Sequence, residues 1–194
     1  PTAYSRGHLA SVEIRLPSHT GVPMTQDQLH DLDADGRRHA FAEGTPVAPA
    51  DLSGHEYLGV SLGLPSFVDK IAWKTFIKAF HTDDSGIRGW NIRLVQNGLH
   101  GPFEPMISKG RPLTFGHFRV EKDGDGLLLN YGAGDQNSAF DPVRALRDPV
   151  VAISGDPTLL LGYSALAMGP FRLSTPSWFT LRRLRPLSHV PPRR

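Results

Sequence analysis

The chain has 194 residues, 39% of them apolar, with 20 glycines, 17 prolines and no cysteine. That length suits one domain with a sizeable core, and the glycine and proline content favours many turns over long helices. The missing cysteines exclude disulfides, thiolate catalysis, zinc–thiolate sites and Fe–S clusters, and a formal net charge of +2 is too small to point to a nucleic-acid partner.

Residues 10–16 alternate, with Val12, Ile14 and Leu16 on one face and Glu13 and Arg15 on the other, which predicts a half-buried strand ended by Pro17. Thr25 and Gln28 match a capping box ahead of a short helix over 26–32, with Leu29 and Leu32 on one side. Residues 33–56 are rich in Gly, Pro, Ala and Asp and read as a long loop or lid. From residue 71 a period of two takes over. Lys74, Phe76, Lys78 and Phe80 share one face, and Trp73, Thr75, Ile77 and Ala79 the other. Trp73, Ile77 and Phe80 also have helical spacing, but Trp, Thr, Phe and Ile favour a strand over 71–80.

After the turn HTDDSGIRG, Trp90, Ile92 and Leu94 alternate in a strand over 89–95, and 98–112 is irregular. Strands over 113–121 and 126–131 form a hairpin around Asp-Gly turn signals. A loop over 132–148 precedes three more strands, over 149–154, 158–168 and 176–184. Eight strands with mostly short links predict a single all-β domain, an antiparallel β-barrel, because closure removes edge strands. A barrel of eight strands has room for one small ligand. Arg182, Arg183, Arg185, Arg193 and Arg194 cluster at the end, and 186–194 reads as a flexible, solvated basic tail. No apolar run approaches the ~18 residues of a spanning helix, and PTAYSRGHLA lacks the apolar segment of a signal peptide. The expectation is a cytoplasmic chain without a membrane span.

Three local patterns carry possible chemistry. Gly59-Val60-Ser61-Leu62-Gly63 matches the nucleophile elbow of hydrolases, with Asp148 and His189 as conceivable partners, but an elbow needs a strand before the serine and a long helix after it. Asp31-Leu32-Asp33-Ala34-Asp35-Gly36 matches the first half of a calcium loop. The bidentate Glu of position twelve is replaced by Ala42, so a solvated acidic helix end is the better reading. The nine histidines form no H-x-H or H-x-x-x-H pair. His117 stands out because it lies mid-strand between Phe115 and Arg119; if that face is inward, it is a general base or a haem ligand, and the more common alternative is a hydrogen-bonded wall histidine.

Aromatic residues recur along the strands: Trp73, Phe76, Phe80, Trp90, Phe115, Phe118, Tyr131, Tyr163, Trp178 and Phe179. Core packing accounts for any one of them. Interspersed polar residues, namely Asn91, Arg93, His117, Asn130, Arg147 and Asp148, shift the balance toward a pocket, since apolar walls with a few convergent polar groups describe a ligand site.

Trp73-Lys74, Gly89-Trp90-Asn91, Arg147-Asp148, the run from Leu159 to Tyr163 and the ending Trp178-Phe179-Thr180-Leu181-Arg182 resemble patterns in bacterial lipocalin-like barrel proteins, over residues 57–184. The resemblance implies a barrel that holds an apolar small molecule of lipid, terpenoid or polyketide type. Trp73, Trp90, Tyr131, Tyr163 and Trp178 are the expected walls, with Asn91, His117 and Arg147 orienting the polar end. The alternative is a cofactor-independent cyclase or isomerase in the same cavity, with His117 or Asp148 as acid/base and Arg147 steadying an oxyanion. No cofactor is expected in either case, and a haem barrel is a weaker third reading.

Overall fold

The computed structural model describes residues 24–62, 74–124, 126–169 and 171–193. Three short helices come first: α1 (Gln26–Asp31), α2 (Ala34–Ala42) and α3 (Pro49–Leu52). The strands follow as β1 (His55–Leu62), β2 (Thr75–Asp83), β3 (Gly86–Arg93), β4 (Ile107–Ser108), β5 (Arg111–Pro112), β6 (Thr114–Asp123), β7 (Gly126–Asn130), β8 (Leu146–Ile153), β9 (Asp156–Met168) and β10 (Phe171–Pro186). All but β4 and β5 form one closed barrel in the order β1-β2-β3-β6-β7-β8-β9-β10, and β10 returns to pair with β1. Every pairing is antiparallel. The expected all-β, eight-stranded antiparallel barrel is the architecture found.

Its make-up differs from the expectation in four places. The predicted strand over 10–16 lies outside the described residues. The eighth barrel strand is β1, where Gly59 and Ser61 interrupt an otherwise apolar run. The predicted loop over 33–56 contains α2 and α3. Asp33 caps α2, its carboxylate accepting from the Gly36 amide at 2.7 Å, so the acidic D-x-D-x-D-G run starts a helix. The tail is not free either. Residues 187–193 lie along the outer wall, where Ser188 donates to Glu56, Arg88 to the Pro191 carbonyl and Gln136 to the Pro192 carbonyl.

Side-chain alternation divides the barrel into an inside and a covered outside. Inside, Tyr57, Phe80, Leu160 and Leu181 pack with Leu52, Ile87, Leu127, Leu129 and Ala152 toward the end that carries the tight β2–β3, β6–β7 and β8–β9 turns. Arg183 closes this end, with its guanidinium over the Tyr57 ring and bonded to its hydroxyl. Outside, α1 and α2 cover Val60, Leu62, Leu159, Leu161 and Trp178 through Leu29, Leu32, Ala40 and Phe41. The 95–105 segment and the tail cover Leu58, Ile77, Trp90 and Ile92 through Phe103 and Leu187. A wall apolar on both faces has to be covered in this way, because large exposed apolar patches are unfavourable.

Three inward rings lie flat against glycines of the neighbouring strand. Phe76 of β2 faces its cross-strand partner Gly59, Phe118 of β6 faces Gly89, and Phe179 of β10 faces Gly162. A Cβ at any of the three glycines would meet the ring. These pairs let bulky rings fill a narrow lumen, and cross-strand pairing of aromatics with glycine also pins register.

Candidate functional site

The three rings and Tyr131 surround one cation. Lys78 projects inward from the middle of β2, and its ammonium lies 5.2 Å from the Phe76 centroid, 5.3 Å from Phe118, 5.1 Å from Tyr131 and 5.2 Å from Phe179. It donates to Asn91 Oδ1 at 3.0 Å and to the Tyr131 hydroxyl. Tyr131 in turn donates to Asp148 Oδ2 at 3.0 Å, and the lysine nitrogen is 3.8 Å from the same oxygen. Lys78 and Asp148 are each only 3% exposed. The result is an N–H···O–H···O chain from ammonium through phenol to carboxylate.

Neighbouring groups hold this chain in place. Asn91 accepts from Lys78 while its amide donates to the Gly116 carbonyl at 3.0 Å. Asn137 ties the connection after β7 to β6 by donating to the His117 and Tyr131 carbonyls at 2.6 and 2.8 Å. Asp148 has one oxygen bonded; its Oδ1 is buried without a hydrogen bond. Ser164, on the lumen face of β9, is near enough to favour the ionised carboxyl.

Burial sets the electrostatics. It lowers the Lys78 amine to about 8, with Asp148 pulling only partly the other way. Burial raises the Asp148 carboxyl, despite Lys78 and the Tyr131 hydrogen bond. The Tyr131 phenol is pushed well up, by burial first and by Asp148 second. Desolvation disfavours whichever form is charged, so amine and carboxyl are both driven toward neutrality.

Two halves of the lumen differ in access. Toward the tight-turn end the inward side chains are fully buried, among them Tyr57, Phe80, Leu160 and Leu181. Toward the other end Ser61, Phe76, Arg93, Phe115, Ser164 and Ser177 are partly exposed. The long connections, including residues 94–113 and 131–145, leave the barrel at this end. The Lys78 cluster lies where the two halves meet, buried itself but next to the half whose inward residues are partly exposed.

Of the predicted site residues, Asn91, Tyr131 and Asp148 converge on this cluster. The others do not. Trp90 faces outward under the Arg88 guanidinium and the tail. Tyr163 and Trp178 lie outside as well, packed edge-on against Phe41 of α2 at 5.1 and 6.0 Å. His117 also points outward, 6.3 Å from the Trp90 ring. A β-bulge in β6 is the reason: Asn91 pairs with Phe115 and Gly89 with Phe118, so both rings turn in while Gly116, at φ 52°, and His117 take up the irregularity. Arg147 turns its guanidinium to the Arg144 and Leu146 carbonyls, away from the lumen. Trp73 lies outside the described residues. Sequence reasoning missed Lys78, Phe76, Phe118 and Phe179 as a unit; the signal was a lysine between Phe76 and Phe80 on one strand face.

Ser61 occupies a regular strand position opposite Phe179 and is not among the described residues with positive φ, so β1 has no elbow there. Among the described residues no group of His, Asp and Glu could hold a metal ion, and no helix is long and apolar enough to cross a membrane. A concavity of about 430 Å³ lies outside the wall, between α1, β1 and the 99–103 segment. Two of its polar groups are already engaged, His30 with Thr180 and Arg182 with Gln26. No protein-family model, curated protein or solved structure matches the chain.

Proposed function

We propose that the barrel binds a small, mainly apolar molecule in the accessible half of its lumen, with the polar end of that molecule on the Lys78, Asn91, Tyr131 and Asp148 cluster. The observation that carries this reading is the position of the cluster, at the boundary between a packed half and a half whose inward residues are partly exposed. A lumen needed only for stability does better with apolar side chains, because a buried ion pair is often no more favourable than well-packed apolar residues. Apolar walls with few convergent polar groups fit a lipid, terpenoid or polyketide type of ligand.

A second reading is acid–base chemistry on such a molecule, as in a cyclase or isomerase. It is favoured by an amine lowered to about 8 beside a carboxyl with one unbonded buried oxygen, the kind of tuning that proton transfer near neutral pH requires.

Native mass spectrometry of the purified chain beside a denatured sample tests binding. A co-purifying mass of a few hundred daltons, lost on denaturation, is expected. In parallel, 8-anilinonaphthalene-1-sulfonate should fluoresce on binding, and Ser177→Trp, which fills the accessible half, should abolish the signal. Unbound chain together with fluorescence indifferent to Ser177→Trp contradicts the reading.

A further inference from the structure

We propose that Lys78 is a carbonyl-capturing nucleophile, which forms an imine with an aldehyde or ketone held in the lumen. This rests on the lumen-binding reading and names the substrate class for the same site. Three features of the geometry carry it. The nitrogen is the only amine among the cluster's polar groups, and it lies at the end of the packed half that borders the partly exposed inward residues. The Tyr131 hydroxyl and Asp148 form a proton path directly from it. Four aromatic faces surround it at 5.1 to 5.3 Å, an environment that favours an organic cation over water.

The steps balance within the cluster. The Lys78 ammonium passes a proton through the Tyr131 hydroxyl to Asp148, leaving a neutral amine and a neutral acid. The nitrogen lone pair forms a C–N bond to the carbonyl carbon, and the π electrons move to oxygen. That oxygen takes a proton from Tyr131, which recovers one from the nitrogen. Asp148 then protonates the carbinolamine hydroxyl, the C–O bond breaks, water leaves, and a protonated imine remains beside an ionised Asp148. The net change is amine plus carbonyl to imine plus water, with no oxidant or reductant. The product cation replaces the ammonium at the centre of the rings, and Asp148 again balances its charge. Asn91 holds the nitrogen by one hydrogen bond, which the neutral amine can also donate.

The test is reductive trapping. The full chain is incubated with hexanal and sodium cyanoborohydride, and the alkylated lysine is located by peptide mass spectrometry. One hexyl group is expected on Lys78 before the lysines at 70, 74, 109 and 122 react, with a rate that levels off above about pH 8, following the lowered amine. Tyr131→Phe and Asp148→Asn should slow labelling at Lys78 by about 10²-fold, the usual contribution of a positioned acid–base group. Labelling elsewhere should not change, which reports that the fold is intact. Fluorescence with 8-anilinonaphthalene-1-sulfonate that is sensitive to Ser177→Trp, with hexyl groups only on other lysines, overturns the imine and leaves lumen binding standing. Loss of both signals overturns both readings. Labelling of Lys78 at the wild-type rate in Tyr131→Phe and Asp148→Asn also overturns the proposed chemistry.

Discussion

Two charge clusters in this molecule are built on opposite plans. At the tight-turn end, Asp83 faces Arg119 at 3.0 Å, Arg88 at 3.4 Å and Arg193 of the tail, and accepts from the Ser85 amide at 2.8 Å. Burial would push this carboxyl up, but the bonds from Arg193, Ser85 and Arg119 outweigh it and hold the group well below the usual carboxylate range. In the lumen, one carboxylate answers one ammonium among aromatic rings, and both groups move toward neutrality. An excess of opposite charge near water fixes an ionised state; a single partner buried among aromatic rings leaves the proton easier to move. The first cluster clamps the tail to the barrel, and the second is the one on which the proposed binding and imine chemistry rest.

The sharpest way to separate these roles is to break each cluster. Lys78→Ala or Asp148→Ala strands one buried charge and should cost about 3–5 kcal/mol in urea unfolding. The double variant Lys78→Met/Asp148→Leu should recover most of that loss while abolishing ligand binding. A double variant as unstable as the singles would mean that shape, not charge, is what the cluster supplies.

The next largest effect is overpacking beside the cage. Gly162→Ala and Gly89→Ala press a methyl group into Phe179 and Phe118 and should each cost about 1–3 kcal/mol. Asp83→Asn should cost less, about 1–2 kcal/mol, because the cluster borders solvent.

Both clusters should gain stability as pH rises, but in different windows and for opposite reasons. The folded carboxyl of Asp83 is depressed, so its stabilisation is present above the unfolded value near ~3.9 and is lost as pH falls below it. Wild type and Asp83→Asn should therefore converge in acid. The Lys78 amine is also depressed, from 10.5 to about 8, but for a base this is a burden, complete below about 8 and relieved as pH rises toward 10.5. The stability of wild type relative to Lys78→Met should rise across that window, as read by denaturation at pH 7 and pH 10. Smallest of all, Ser61→Ala should shift stability by less than about 0.5 kcal/mol, since Ser61 is a strand residue without an elbow.

The barrel was legible in the sequence because its strands alternate and end at Gly, Pro and Asp. β1 was not, because Gly59 and Ser61 dilute its apolar pattern; Gly59 is small to admit Phe76, which lies in a different strand. α2 was hidden in a run of Asp, Gly and Arg whose helical role depends on the Asp33 cap. Asn91 and Asp148 are legible as polar groups in or beside strands and Tyr131 as an aromatic wall residue, whereas Lys78 shares the Phe76 and Phe80 face in the sequence without any means of telling inside from outside. The same ambiguity placed Trp90, Tyr163 and Trp178 in the lumen. Each belongs to the outer wall, and the helices and tail that cover them leave no mark in the local pattern. His117 was misplaced by one bulge at Gly116, which shifts the alternation by a residue.

The decisive measurement is an NMR titration of the protein labelled with ¹³C at the lysine ε carbons, with and without 8-anilinonaphthalene-1-sulfonate. One lysine, assigned by its loss in Lys78→Met, should titrate near pH 8 and shift when the dye binds. All lysines titrating near their ordinary value of 10.5, and none responding to the dye, would contradict a desolvated amine at the floor of a ligand site.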